Sequence, residues 1–117
     1  MRLTFAGCFA AILLAPHLAQ AAEYAPLNCA KAASAAEMTI CTSYELGQDE
    51  ARMATLYAVA TSLVAMGQRG DIQDAQRTWL QEREACGGRI PCLKEKYDAR
   101  IRELSGVIDG IASRGPF

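Results

Sequence analysis

Four cysteines follow an apolar leader, and their placement constrains this chain more than any other feature. Cys29 and Cys41 flank one short segment, and Cys86 and Cys92 flank a joint that contains Gly87, Gly88 and Pro91. The remainder after a leader is one small domain, whose core profits from covalent help. Cysteines supply that help as disulfides in an oxidising compartment. Four cysteines permit three pairings. The local one, Cys29–Cys41 with Cys86–Cys92, is expected, each bridge worth ~2–3 kcal/mol by loop entropy. Zinc modules favour tighter C-x₂₋₄-C pairs, and redox motifs need C-x-x-C. Neither spacing occurs, so no metal or other cofactor is expected.

The leader itself reads as a secretory signal. Met1 and Arg2 precede an apolar run from Leu3 to Leu18, and Ala19-Gln20-Ala21 supplies small residues at its exit. One positive charge, a short apolar core and an A-x-A end define such a peptide, and the run is shorter than the ~20 residues of a membrane span. The expected division is therefore residues 1–21 as signal peptide and 22–117 as the exported domain, periplasmic or secreted. Cys8 precedes most of the apolar run, the wrong order for a lipid-modified cysteine, and reads as a small apolar residue. Cleavage also removes Arg2 and the one histidine, His17. Eleven of the 12 Lys and Arg then face 13 Asp and Glu, a formal charge of −2. That balance points away from nucleic acid and from an anionic membrane surface.

The rest of the chain repeats with helical, not strand, period. Pro26 sits in an extended lead-in. A short helix is expected over 31–42, started by the S-x-x-E box of Ser34 and Glu37. Over 45–66, Leu46, Met53, Leu56, Tyr57, Ala60, Leu63 and Val64 are expected to form one apolar face, with Gln48, Asp49, Arg52 and Thr55 opposite. Gly67 and Gly70 read as its stop and Asp71 as the next cap. Over 71–86, Ile72, Ala75 or Gln76, Trp79, Leu80 and Arg83 make a stripe that ends at Gly87-Gly88. Pro91 opens the last helix, where Leu93, Tyr97, Ile101, Leu104, Ile108 and Ile111 form the cleanest stripe in the chain. Gly106 and Gly110 weaken its far end. The expectation is an all-α fold: one short and three longer helices in a small antiparallel bundle stapled by two disulfides.

Catalytic constellations are sparse. Without histidine after the leader, Ser-His and Cys-His activation and His-ligated metals fall away. Glu82 and Glu84 are two apart on a helix and do not face each other. Gly87-Gly88 lacks the G-K-[ST] of a phosphate loop. A non-enzymatic protein is expected. The densest segment is QRTWLQEREAC, residues 76–86. Trp79 and Arg83 are four apart, so the guanidinium can lie along the indole. Trp and Arg are common binding hot spots. Because Trp79 shares its stripe with Ile72, the expected role is core anchor with Arg83 as its lid. Trp79, Leu80, Arg83, Tyr97 and Ile101 are the expected structural core.

Cys29-Ala30-Lys31-Ala32, Glu37, Ile40-Cys41, Leu46, Tyr57, the QRTWLQEREAC segment, Cys92-Leu93, Tyr97, Arg100-Ile101 and Leu104 together resemble the lysozyme inhibitor LprI-like family. The likeness runs from Cys29 to about Leu104, and Q-R-x-W-L-x-x-R-x-x-C is its specific part. Asp49 departs slightly from the family's Leu-Asp step. The resemblance implies a small, exported, helical, disulfide-containing bacterial protein. It also implies a protein partner, lysozyme, blocked by occlusion of its cleft. Glu82, Glu84, Glu95 and Asp98 near the Cys86–Cys92 hairpin are candidate contacts for a cationic enzyme. The alternative is an adaptor that binds another component of the cell envelope.

Overall fold

A computed structural model describes residues 26–115. The signal-peptide reading and Cys8 lie outside the described residues. A short 3₁₀ turn, Cys29–Lys31, precedes four helices: α1 (Ala35–Thr42), α2 (Tyr44–Leu63), α3 (Met66–Ala85) and α4 (Ile90–Ala112). Among the described residues there is no strand, and both disulfides are local, Cys29–Cys41 and Cys86–Cys92. The fold is the expected all-α bundle.

Helix ends follow from named side chains. Ser34 and Glu37 form a full capping box: Ser34 Oγ accepts from the Glu37 N–H, and the Glu37 carboxylate accepts from the Ser34 N–H. The carboxylate also accepts from the Ala33 N–H, and the Ala33 and Ser34 N–H groups, Ala33's first, hold the Glu37 carboxyl below its ordinary value. Ser43 then serves two helices. Its N–H closes α1 on the Thr39 carbonyl, and its Oγ accepts from the Leu46 N–H at the start of α2. At the last joint, Gly87 takes φ 56°, the left-handed region that glycine enters without steric cost. Arg89 folds back to donate to the carbonyls of Cys86 and Ala85, and Pro91 lies in the first turn of α4.

The middle joint corrects the sequence reading. Gly67 and Gly70 do not stop a helix, and Asp71 does not cap one. α3 starts at Met66, so both glycines lie in its first turns. The chain instead breaks at Val64 and Ala65, which are extended. Ala65 offers no side-chain cap. Arg69 compensates by donating Nε to the Thr61 carbonyl at 2.7 Å and Nη2 to that of Val64 at 3.3 Å. An arginine thereby satisfies the orphan carbonyls of α2, and the ~1 kcal/mol helix penalty of each glycine is tolerated beside solvent.

α3 runs antiparallel to both α2 and α4, so α2 and α4 run parallel. Their contact is the most extensive in the bundle. Leu46, Met53, Leu93 and Tyr97 are completely buried there, joined by Tyr57, Ala60, Ile101 and Leu104. Removing a side chain of that size from water is worth ~1.5–3 kcal/mol. α3 closes the core with Ile72 and Trp79, and α1 adds Ala36 and Ile40. One expected core residue is misplaced: Leu63 is 55% exposed. α2 presents Tyr57, Ala60 and Val64 inward, and Leu63 lies outside that arc.

Candidate functional site

Trp79 stands edge-on to Tyr97, ring centroids 5.2 Å apart and planes at 67°. Its indole N–H donates to the Lys96 carbonyl at 2.9 Å. The Arg83 guanidinium lies 5.6 Å from the indole centroid, the contact expected from the four-residue spacing. Leu80 is partly buried against the same core, and Ile101 is buried.

Arg83 does more than cover an indole. It is itself buried and reaches across to Glu50 of α2, Nη1 to Oε2 at 3.4 Å, while Nη2 holds Glu84 at 2.9 Å. The Tyr97 hydroxyl donates to the same Glu50 oxygen. The Leu27 N–H donates to its other oxygen at 3.1 Å. One buried carboxylate thus ties α3, α4 and the lead-in to α2. With its oxygens occupied by donors from three segments, Glu50 is a structural tie. A second buried charge, Arg100, donates to the Gln76 side chain at 2.8 Å and the Ile72 carbonyl at 3.1 Å, and pairs outward with Glu103.

Sequence reasoning placed neither Glu50 nor Arg100 in the core, yet a signal was present. Glu50 lies four after Leu46 and three before Met53; Arg100 lies three after Tyr97. Both fall on or beside apolar stripes, where a charged side chain can be buried only with a partner.

The surface carries the remaining charge. On the α2–α4 flank, Lys94 pairs with Glu45 and approaches Asp49 to 3.8 Å. The pairing with Glu45 holds the Lys94 ammonium protonated above its ordinary range. Partial burial pushes the Asp49 carboxyl up, against the pull of Lys94 and with the help of Asp98 and Glu45. Three carboxylates therefore gather around Lys94, with Arg52 also acting on Asp49. The four acids expected beside the hairpin are not brought together. Asp98 joins the Lys94 group, and Glu95 points outward, exposed. Glu82 is on the other flank, paired with Lys96 at 2.9 Å. Glu84 is held by Arg83.

Among the described residues, shallow clefts lie on either flank of the bundle. One, of 310 Å³, runs between the lead-in and α2, past Leu27, Tyr44 and Glu50. The other, of 300 Å³, lies between α3 and α4 over Trp79. Among the described residues, no three His, Cys, Asp or Glu are placed to hold a metal ion. No described helix is long and apolar enough to cross a membrane.

Residues 28–104 match the family described as Lysozyme inhibitor LprI, about two thirds of the chain. The match runs from the cap of the first turn into the third turn from the end of α4. No curated protein and no solved structure matches this chain.

Proposed function

The chain belongs to the lysozyme inhibitor LprI family, and from that premise we propose that it is an exported helical protein that inhibits lysozyme by occluding the enzyme's cleft. The observation that carries this reading is the extent of the match: it takes in both disulfides, the Glu50 tie and the Trp79–Tyr97 core. The paired cysteines support an oxidising destination, and residues 1–21 supply the export signal. The activity is binding, not catalysis.

A scaffold fixed by two bridges and a buried ion pair loses little freedom on docking, which favours affinity. A cationic lysozyme would approach the α2–α4 flank. There Glu45, Asp49 and Asp98 face Lys94 and Arg52, and exposed Glu95 adds a further carboxylate. Such surplus charge accelerates encounter.

The test is direct. The disulfide-bonded protein, in molar excess, is mixed with several lysozymes, and peptidoglycan lysis is followed. Slower lysis by at least one of them is expected. Unchanged lysis with every enzyme defeats the proposal.

A further inference from the structure

We propose that the Cys29–Cys41 bridge is a thiol–disulfide exchange site, opened by a dithiol while Cys86–Cys92 stays closed, and that its opening releases the lead-in from the bundle. The two bridges span the same Cα–Cα separation, 5.6 Å, but sit in different surroundings. Cys86 is 2% exposed, and Cys92 packs half-buried against the same core. Cys29 is exposed and Cys41 half-buried, and neither belongs to that core. Both line the 310 Å³ cleft between the lead-in and α2. Exchange requires a thiolate to reach a disulfide sulfur, so exposed bridges are the labile ones. The cleft gives a small dithiol that access in the folded protein, whereas the core denies it at Cys86.

The step balances with the dithiol as reductant. One of its thiolates attacks the Cys29 sulfur, the Cys29–Cys41 bond breaks, and Cys41 leaves as a thiolate that takes a proton from water. The second thiol of the reductant, deprotonated, attacks the mixed disulfide. Cys29 leaves in the same way, and the reductant ends as a cyclic disulfide. Two electrons have passed to the two cysteines. Besides the bridge, the lead-in is tied to the core by the Leu27 N–H on Glu50 at 3.1 Å and by the partly buried Leu27 side chain. Those ties must offset the backbone entropy of ordering the whole segment. Segments held by so few buried contacts open locally, ahead of global unfolding. The helices keep their own core of Leu46, Met53, Leu93 and Tyr97. Opening therefore removes the Leu27 donor from Glu50 and bares Ile40 and Glu50 along the cleft, while the bundle stays folded. The inference is independent of lysozyme inhibition.

The oxidised protein is treated with graded dithiothreitol, quenched at intervals with iodoacetamide and mapped by peptide mass. Cys29 and Cys41 are expected to be alkylated about tenfold sooner than Cys86 and Cys92. Hydrogen exchange on the selectively opened protein is expected to show the Leu27 and Lys31 amides, which donate to Glu50 and to the Asn28 carbonyl, losing protection while those of α2 and α4 keep theirs. Cys29→Ser with Cys41→Ser is expected to give the same exchange pattern with an unchanged helical circular dichroism spectrum. Alkylation of all four cysteines together, or of Cys86 and Cys92 first, overturns the exchange site. Protection retained at Leu27 after Cys29 and Cys41 are alkylated overturns the release of the lead-in.

Discussion

Tyr97 donates its hydroxyl hydrogen bond to Glu50 across the α2–α4 interface, and both side chains are buried. The pair, separated by 47 positions in sequence, fixes the register of two parallel helices whose remaining core contacts are apolar and could slide by a turn. Arg83 and the Leu27 N–H complete the set, so the lead-in and α3 are held by the same carboxylate.

Breaking that set on one side should be costly. Glu50→Ala removes the buried carboxylate that Arg83 and the Tyr97 hydroxyl share, at an expected loss of about 3–5 kcal/mol. Tyr97→Phe should lose about 1–3 kcal/mol. Glu50→Leu combined with Arg83→Met should recover part of the loss, because no buried charge then remains unpaired. Urea denaturation of the wild type and these three variants measures all of this.

The two bridges should contribute similar amounts. Replacing Cys86 and Cys92 by serine, or Cys29 and Cys41 likewise, should each lower stability by about 2–3 kcal/mol. Thermal unfolding of the wild type in a reductant should show the combined loss of both bridges. A bridge whose loss changes nothing would mark a joint already fixed by its other contacts.

Gly70→Ala distinguishes a helix that begins at Met66 from one that begins at Asp71. No atom lies within 4 Å of the added Cβ, so within α3 the substitution should stabilise by about 0.5–1 kcal/mol. Destabilisation would place Gly70 in a turn.

Asp49 has a pH signature of definite sign. Its folded carboxyl is held above its ordinary value of 3.8, chiefly by burial. The folded state therefore takes up its proton more readily than the unfolded chain. Stability from this group is present below pH 3.8 and is lost as pH rises through the raised value. Asp49→Asn should thus be more stable than the wild type at about pH 7 and should lose that advantage below pH 3.8. Melting temperatures from about pH 3 to pH 7 test the crossover.

If the α2–α4 flank meets lysozyme, Glu45→Lys with Asp98→Lys should slow association about tenfold at low salt and flatten its salt dependence. Stopped-flow mixing with a cationic lysozyme gives the rate. An unchanged rate would move the contact to another face.

Local chemistry was legible because it acts over one helical turn. The Ser34–Glu37 box, the Gly87 turn, the Pro91 start and the stripes of α3 and α4 all appear where the residues predicted them. The α2–α3 joint was not, because a cap supplied from within the following helix by Arg69 leaves no mark at the break itself. Glu50 was legible in part. Its position on the Leu46–Met53 stripe was visible, but its partners were not.

By itself the sequence determined helicity and the Ser34–Glu37 capping box, since these depend on neighbours a few positions apart. Only the tertiary structure decided that Glu50, Arg83 and Tyr97 share one buried site, and that Leu63 and Met66 remain in solvent. Burial is set by which helix faces meet. That depends on how three amphipathic surfaces divide the available core, a choice no single helix encodes.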